Sequence, residues 1–200
     1  MASKQETLVD YAKKHGVIRA RDLASVGVSR SVLRSLVDSG TLVRVGRGLY
    51  SLRDYSFTEA HTIVEAVRTQ SKGVVCLSSA LSFHGIGTQQ PHEVWLAIPY
   101  GARVAVRGSV PIRVVVMKNP AYLAGIETHK LEGIDVSIYS VAKTVADCFK
   151  FRNKIGHDVA VEALREVLNS KRSTRDDIYR YAKINRVEAV IRPYLEALSQ

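Results

Sequence analysis

The sequence predicts an α+β chain in two parts. A small helical unit closed by a hairpin occupies residues 1–55. A larger mixed α/β part occupies residues 56–200 and ends in helices. Three observations lead there. Short helical patterns with clear start and stop residues precede a Gly46-Arg47-Gly48 turn between two apolar runs. Short β-branched runs, punctuated by Pro111, Pro120, Gly125 and Gly133, fill the middle of the chain. From Ser140 onward the apolar spacing returns to the helical period.

In the first helical pattern, residues 4–15, Leu8, Val9, Tyr11 and Ala12 share one face, and Gly16 is placed to end it. Residues 1–3 contribute almost nothing ahead of it. The apolar pair Val17 and Ile18 follows. A short second helix is expected over 20–25 with Leu23 and Ala24 inward, and Gly27 then supplies a tight turn. The third helix has the clearest start in the chain. Ser29 is a good N-cap, Val28 and Leu33 suit a hydrophobic staple, and Gly40 suits the position just past the end. Val32, Leu33, Leu36 and Val37 make its buried stripe. The runs 42–45 and 49–52 read as two strands around the glycine turn. Helix, helix, turn, helix and hairpin is the order of a winged helix-turn-helix.

Residues 57–70 read as a linking helix with Ala60, Ile63, Val64 and Val67 inward. Strands are expected over 74–77, 94–98, 104–106, 112–117 and 134–138, with a small helix near 78–84. Helices are expected over 140–151, 157–169, 173–183 and 187–198. The whole is an α+β fold: an N-terminal winged helix-turn-helix plus a larger mixed α/β C-terminal domain ending in helices.

The net charge of +10 points to a polyanionic partner, and residues 1–55 alone carry 10 basic and 5 acidic side chains. A quarter of the chain therefore holds half the excess. On the third helix Arg30, Ser31, Arg34, Ser35 and Asp38 face outward. Arg30 and Arg34, four apart, project from one side. A helix of this size fits the major groove of B-DNA. Arginine there can pair with the guanine O6/N7 edge, and Ser29 or Ser31 can reach a phosphate or base. The hairpin adds Arg44 and, at its tip, Arg47, suited to a minor groove or a flanking phosphate. Arg19 and Arg21, at the start of the second helix, suit the DNA backbone. Winged helices also serve as protein-binding modules, so that reading stands beside DNA binding.

Little else points to chemistry. His61 and Glu65 are four apart on one helix, but no third metal ligand lies at a suitable local spacing, so a solvated helix face is expected. The Gly85-Ile86-Gly87 loop between His84 and His92 lacks the spacing of a phosphate-binding motif and reads as a structural turn. Asp147 and Cys148 fall inside a helical apolar pattern. No nucleophile elbow and no acidic nuclease cluster appear, so no enzyme activity, metal or cofactor is expected. Between 171 and 192 seven basic residues and Tyr179 and Tyr181 oppose three acidic ones. That stretch suits a second DNA contact, a surface for an acidic protein or a solvated helix face. Cys76 and Cys148 sit far apart in apolar stretches, the N-terminus lacks an apolar leader, and no run reaches the roughly 18–20 apolar residues of a membrane span. A cytoplasmic protein is expected.

Several segments carry a family resemblance: Val17 to Leu23, Gly27 to Ser29, Gly40 to Tyr50, Leu77 to Leu81 with His84 to Gly87, Val94 to Pro99, Gly133 to Val136 and Ser140 to Asp147. Together they resemble the AbiEi family, the antitoxins and transcriptional autoregulators of AbiE type IV toxin–antitoxin systems. The resemblance implies a repressor that binds inverted repeats at its own promoter. It also implies a C-terminal domain that opposes a nucleotidyltransferase toxin without needing to touch it. Arg19 departs from the Thr or Ser usual in the family at the cap of the second helix.

Overall fold

A computed structural model describes residues 3–16, 18–46, 48–53, 61–89, 91–104 and 110–198. The first helix, α1 (Lys4–His15), ends at Gly16. Its start corrects the sequence reading. Ser3 forms a full capping box: its hydroxyl accepts the Glu6 N–H, and the Glu6 carboxylate accepts the Ser3 N–H at 2.7 Å. Ser3→Ala is expected to cost about 0.5–2 kcal/mol, measurable by urea unfolding.

Next come β1 (Ile18–Arg19) and a single 3-10 turn, Asp22–Ala24, in place of the expected short helix. Leu23 is buried there, but Ala24 is exposed. One 3-10 turn has room to point only one of the two side chains inward. The Asp22 carboxylate accepts the Arg19 N–H at 3.2 Å, which closes the bend into the turn. The next helix, α2 (Arg30–Asp38), is followed by the hairpin β2 (Leu42–Gly46) and β3 (Leu49–Leu52). Strand β3 lies between β1 and β2, antiparallel to both. Leu8, Ala12, Ile18, Leu23, Val28, Leu33, Leu36 and Leu42 form the core of this unit. Val28 and Leu33 meet in it, as a hydrophobic staple requires.

Beyond residue 60 a five-stranded sheet organises the body of the protein. Its elements are α3 (His61–Thr69), β4 (Val74–Val75), α4 (Leu77–Phe83), β5 (Val94–Pro99), β6 (Ile112–Met117), β7 (Ile126–Leu131) and β8 (Ile134–Tyr139). The strand order is β6-β5-β4-β8-β7, with β5–β6 and β4–β8 parallel and the other pairs antiparallel. Alternation divides β5 between two cores. Trp95 and Ala97 face a large one, while Val94 and Leu96 face a smaller one under α3. Helices α5 (Val141–Lys150), α6 (Arg152–Ile155), α7 (His157–Asn169), α8 (Arg175–Asn185) and α9 (Glu188–Ala197) complete the body. Of these, α5, α7, α8 and α9 supply side chains to the large core.

Two strand expectations need correction, and one strand lies outside the expected set. The run 74–77 is a two-residue strand, because Leu77 already opens α4. Val104 lies outside any strand and is 50% exposed. Residues 105 and 106 lie outside the described residues, as do 57–60 of the expected linking helix and the boundary expected at 55–56. Strand β7 matches none of the strands that the sequence predicts. It is an edge strand whose residues are half-buried or exposed, so it lacks a continuous apolar run. Among the described residues no helix is long and apolar enough to cross a membrane.

Candidate nucleic-acid interface

Helix α2 buries Leu33 and Leu36 and turns Arg30, Ser31, Arg34, Ser35 and Asp38 outward, as its spacing predicts. Arg34 is 85% exposed, with Asp38 one turn later at 3.9 Å. An exposed pair of that length contributes little to stability, and a stronger anion can displace it. Ser35 leans back toward α1 and accepts from Gln5 Nε2 at 3.2 Å. Ser29 has the extended backbone of an N-cap, but its hydroxyl makes no cap bond. It lies 2.7 Å from the Ser31 hydroxyl instead. The two hydroxyls are therefore paired at the helix N-terminus, where the peptide dipoles favour an anion.

The remaining basic residues are spread over the same unit. Arg44 is exposed on β2, opposite Tyr50. Arg47 lies outside the described residues. Arg19 belongs to β1 and precedes the 3-10 turn, whose own N-cap is Arg21. Arg19 is half-buried, and burial lowers its guanidinium pKa, with the neighbouring Arg21 and Arg68 adding to the effect. Arg21 is exposed, and its Nε lies 3.9 Å from Asp22. Arg19 is thus partly a packing residue, while Arg21, Arg30, Arg34 and Arg44 remain at the surface.

The His61–Glu65 pair is not a solvated helix face. Its side chains are only 14% and 4% exposed. The turn after β7 covers it: Glu132 Oε2 lies 3.1 Å from His61 Nδ1, while Glu65 Oε1 lies 3.9 Å from Nε2. Carboxylates therefore flank the imidazole on both nitrogens rather than converging on one point. Among the described residues no group of three or more His, Cys, Asp or Glu side chains is arranged to hold a metal ion.

The Gly85-Ile86-Gly87 loop is a turn held by the body. Ile86 is buried, and the Gly87 N–H donates to Glu166 of α7 at 2.7 Å. Cys76 and Cys148 are buried in the large core, and burial pushes both thiols well above the ordinary range. A cleft between α3, α4 and β5 is lined by Thr62, Ser79, Ser82, His92 and Glu93. The Ser79 hydroxyl there is already committed to the Trp95 N–H at 2.9 Å.

The basic C-terminal stretch forms an ordered surface. Arg180 lies 5.1 Å from the Tyr181 ring centre, Lys183 lies 4.9 Å from that of Tyr179, and Arg192 donates to the Tyr179 hydroxyl at 2.9 Å. Arg180 also meets Asp177 at 3.1 Å. Tyrosines therefore act as platforms for cations within the chain itself.

No curated protein matches the sequence. The fold is similar to a solved structure, "Crystal structure of RV2827C protein from Mycobacterium tuberculosis", with a TM-score of 0.66 at 14% identity. That likeness covers 100% of this chain and 78% of the other. It extends through both the N-terminal unit and the body, and at this identity it bears on fold alone. Residues 6–53, which run from the first turn of α1 to just past β3, match the family described as "Transcriptional regulator, AbiEi antitoxin".

Proposed function

We propose that this protein is a non-catalytic, DNA-binding transcriptional repressor and the antitoxin of an AbiE-type type IV toxin–antitoxin system. It works in the cytoplasm and binds inverted repeats at its own promoter. Its functional partner is a nucleotidyltransferase toxin, which it need not touch. The observation that carries this reading is the outward face of α2, inside the segment that matches the AbiEi family. Arg30 and Arg34 stand there on one exposed side, above a helix anchored by Leu33 and Leu36.

In this reading Arg30, Arg34, Ser29 and Ser31 enter the major groove. Arg21 and Arg44 hold the flanking phosphates, as does Arg47. Half-buried Arg19 supports the turn that presents Arg21. Two copies on paired half-sites extend a short single footprint.

Fluorescence anisotropy with DNA from upstream of the gene tests the assignment. Arg34→Ala is expected to weaken specific binding by about 1–3 kcal/mol and to relax one base position. Arg44→Ala and Arg47→Ala are expected to weaken binding to all sequences and to reduce the salt slope by about 1 each. Unchanged affinity and salt slope in all three variants would reject the interface and favour a protein-interaction module.

A further inference from the structure

Glu132 and Gly133 form the two-residue corner between β7 and β8, with Leu131 paired to Ile134. Both corner residues have left-handed backbone, at φ +48° and +76°. That is the geometry of a type I′ hairpin turn. Glycine adopts it freely, whereas glutamate adopts it at a cost and persists there only where its surroundings hold it. The Glu132 side chain is held: it is 1% exposed, with Oε2 at 3.1 Å from His61 Nδ1 on α3.

Gly133 faces the other way. A Cβ placed on it would lie 2.7 Å from the Lys14 carbonyl oxygen and 3.5 Å from the His15 Cα. Those atoms belong to the last turn of α1, and backbone cannot swing aside as a side chain can. One corner of the body therefore grips α3 through one residue and receives the N-terminal unit through the next.

The surroundings agree with this arrangement. His15 lies against Tyr11, with ring centres 4.2 Å apart. Burial lowers its pKa, and Lys14 and Arg68 lower it further. Burial also lowers the Arg68 guanidinium, which feels Asp22 and Tyr11 of the N-terminal unit and Glu132 of the corner. A buried Nη1 of Arg68 has no hydrogen-bond partner among the described residues. A buried donor left unpaired costs stability, so the packing of the unit against the body has to hold it in place.

We propose that the Glu132–Gly133 corner is a socket that locks the N-terminal unit onto the body, so that α2 keeps one orientation relative to the sheet. Building on the DNA-binding reading, the socket makes the body ride at a set angle to the duplex. Whatever engages the body is then felt by the helix in the groove.

The test needs no DNA, so its result is independent of the binding assay. Nitroxide labels on Lys4→Cys and Asn169→Cys, both exposed, report the distance between unit and body by pulsed electron resonance. The native Cys76 and Cys148 are buried and stay unlabelled. The labelled protein is expected to give one narrow distance distribution. Glu132→Gly relaxes the turn itself while removing the His61 contact, and it is expected to at least double the width of the distribution. Gly133→Val, which presses on the α1 backbone, is expected to shift or broaden it as well. A broad distribution in the unmutated labelled protein, or an unchanged width in Glu132→Gly whatever Gly133→Val does, would overturn the socket.

Discussion

Lys143→Met is expected to destabilise the protein by about 3–5 kcal/mol, the cost of leaving a buried charge without its partner. Lys143 and Asp147 lie one turn apart on α5, and both side chains are 0% exposed. The ammonium pairs with Asp147 Oδ1 and sits 4.2 Å from the centre of the Tyr139 ring. Asn185 of α8 donates to the same carboxylate oxygen at 2.7 Å. The second oxygen, Oδ2, has no partner among the described residues, so removing Lys143 leaves the carboxylate, among those residues, with only the Asn185 hydrogen bond to Oδ1.

Burial raises the Asp147 pKa, while Lys143 and Asn185 pull it back toward the ordinary range. Without Lys143 the first effect dominates further. The folded variant then binds a proton that the unfolded chain releases, so its stability falls as pH rises from the ordinary carboxylate range through the raised folded value. Urea unfolding of Lys143→Met should therefore show a smaller loss near pH 4 than near pH 7. The double variant Lys143→Met/Asp147→Leu should recover much of the loss. An equal loss at both pH values would mean that methionine fails by packing rather than by charge.

The second large effect falls on the N-terminal unit. Leu33→Ala should cost about 2–5 kcal/mol, the range for a buried leucine whose cavity only partly collapses. Leu33 is 5% exposed, and it joins Val28 across the start of α2 to Leu8, Ala12, Leu36 and Leu42. That core is small, so one deleted isopropyl group is a large fraction of it. The body has cores of its own under both faces of the sheet. Melting should split into an early loss of the N-terminal unit and a later loss of the body. Trp95, in the large core, should report only the later step. DNA binding should disappear at temperatures where Trp95 fluorescence is unchanged. A single shifted transition seen by every probe would mean that the two parts unfold as one.

The parts readable from sequence were those written in neighbouring residues. Gly16, Gly27 and Gly40 marked the ends and turns around α1 and α2, and all three have positive φ. The Val28–Leu33 staple and the arginines four apart on α2 needed only the helical period. Signals within about one turn of each other are set by backbone sterics and local hydrogen bonds, which distant parts of the chain hardly alter. Finer caps were less legible, because hydroxyls choose among close alternatives. Ser3 entered a capping box that went unread, while Ser29 bonded Ser31 instead of the helix.

What the tertiary structure alone decided is where distant segments meet. Strand β7, weakly apolar and on an edge, became visible through its pairing with β8. His61 and Glu65 read as a solvated pair until Glu132, far along the chain, closed over them. Lys143 and Asp147 are four apart in the sequence, but their pairing, their burial and the Asn185 partner depend on α8 packing against α5. Local sequence therefore specifies the elements of the N-terminal unit, the face of α2 that carries arginine, and the basic charge behind it. The tertiary structure decided which polar groups lose their water and what they meet instead. That outcome depends on packing between residues many positions apart, for which local spacing holds no term.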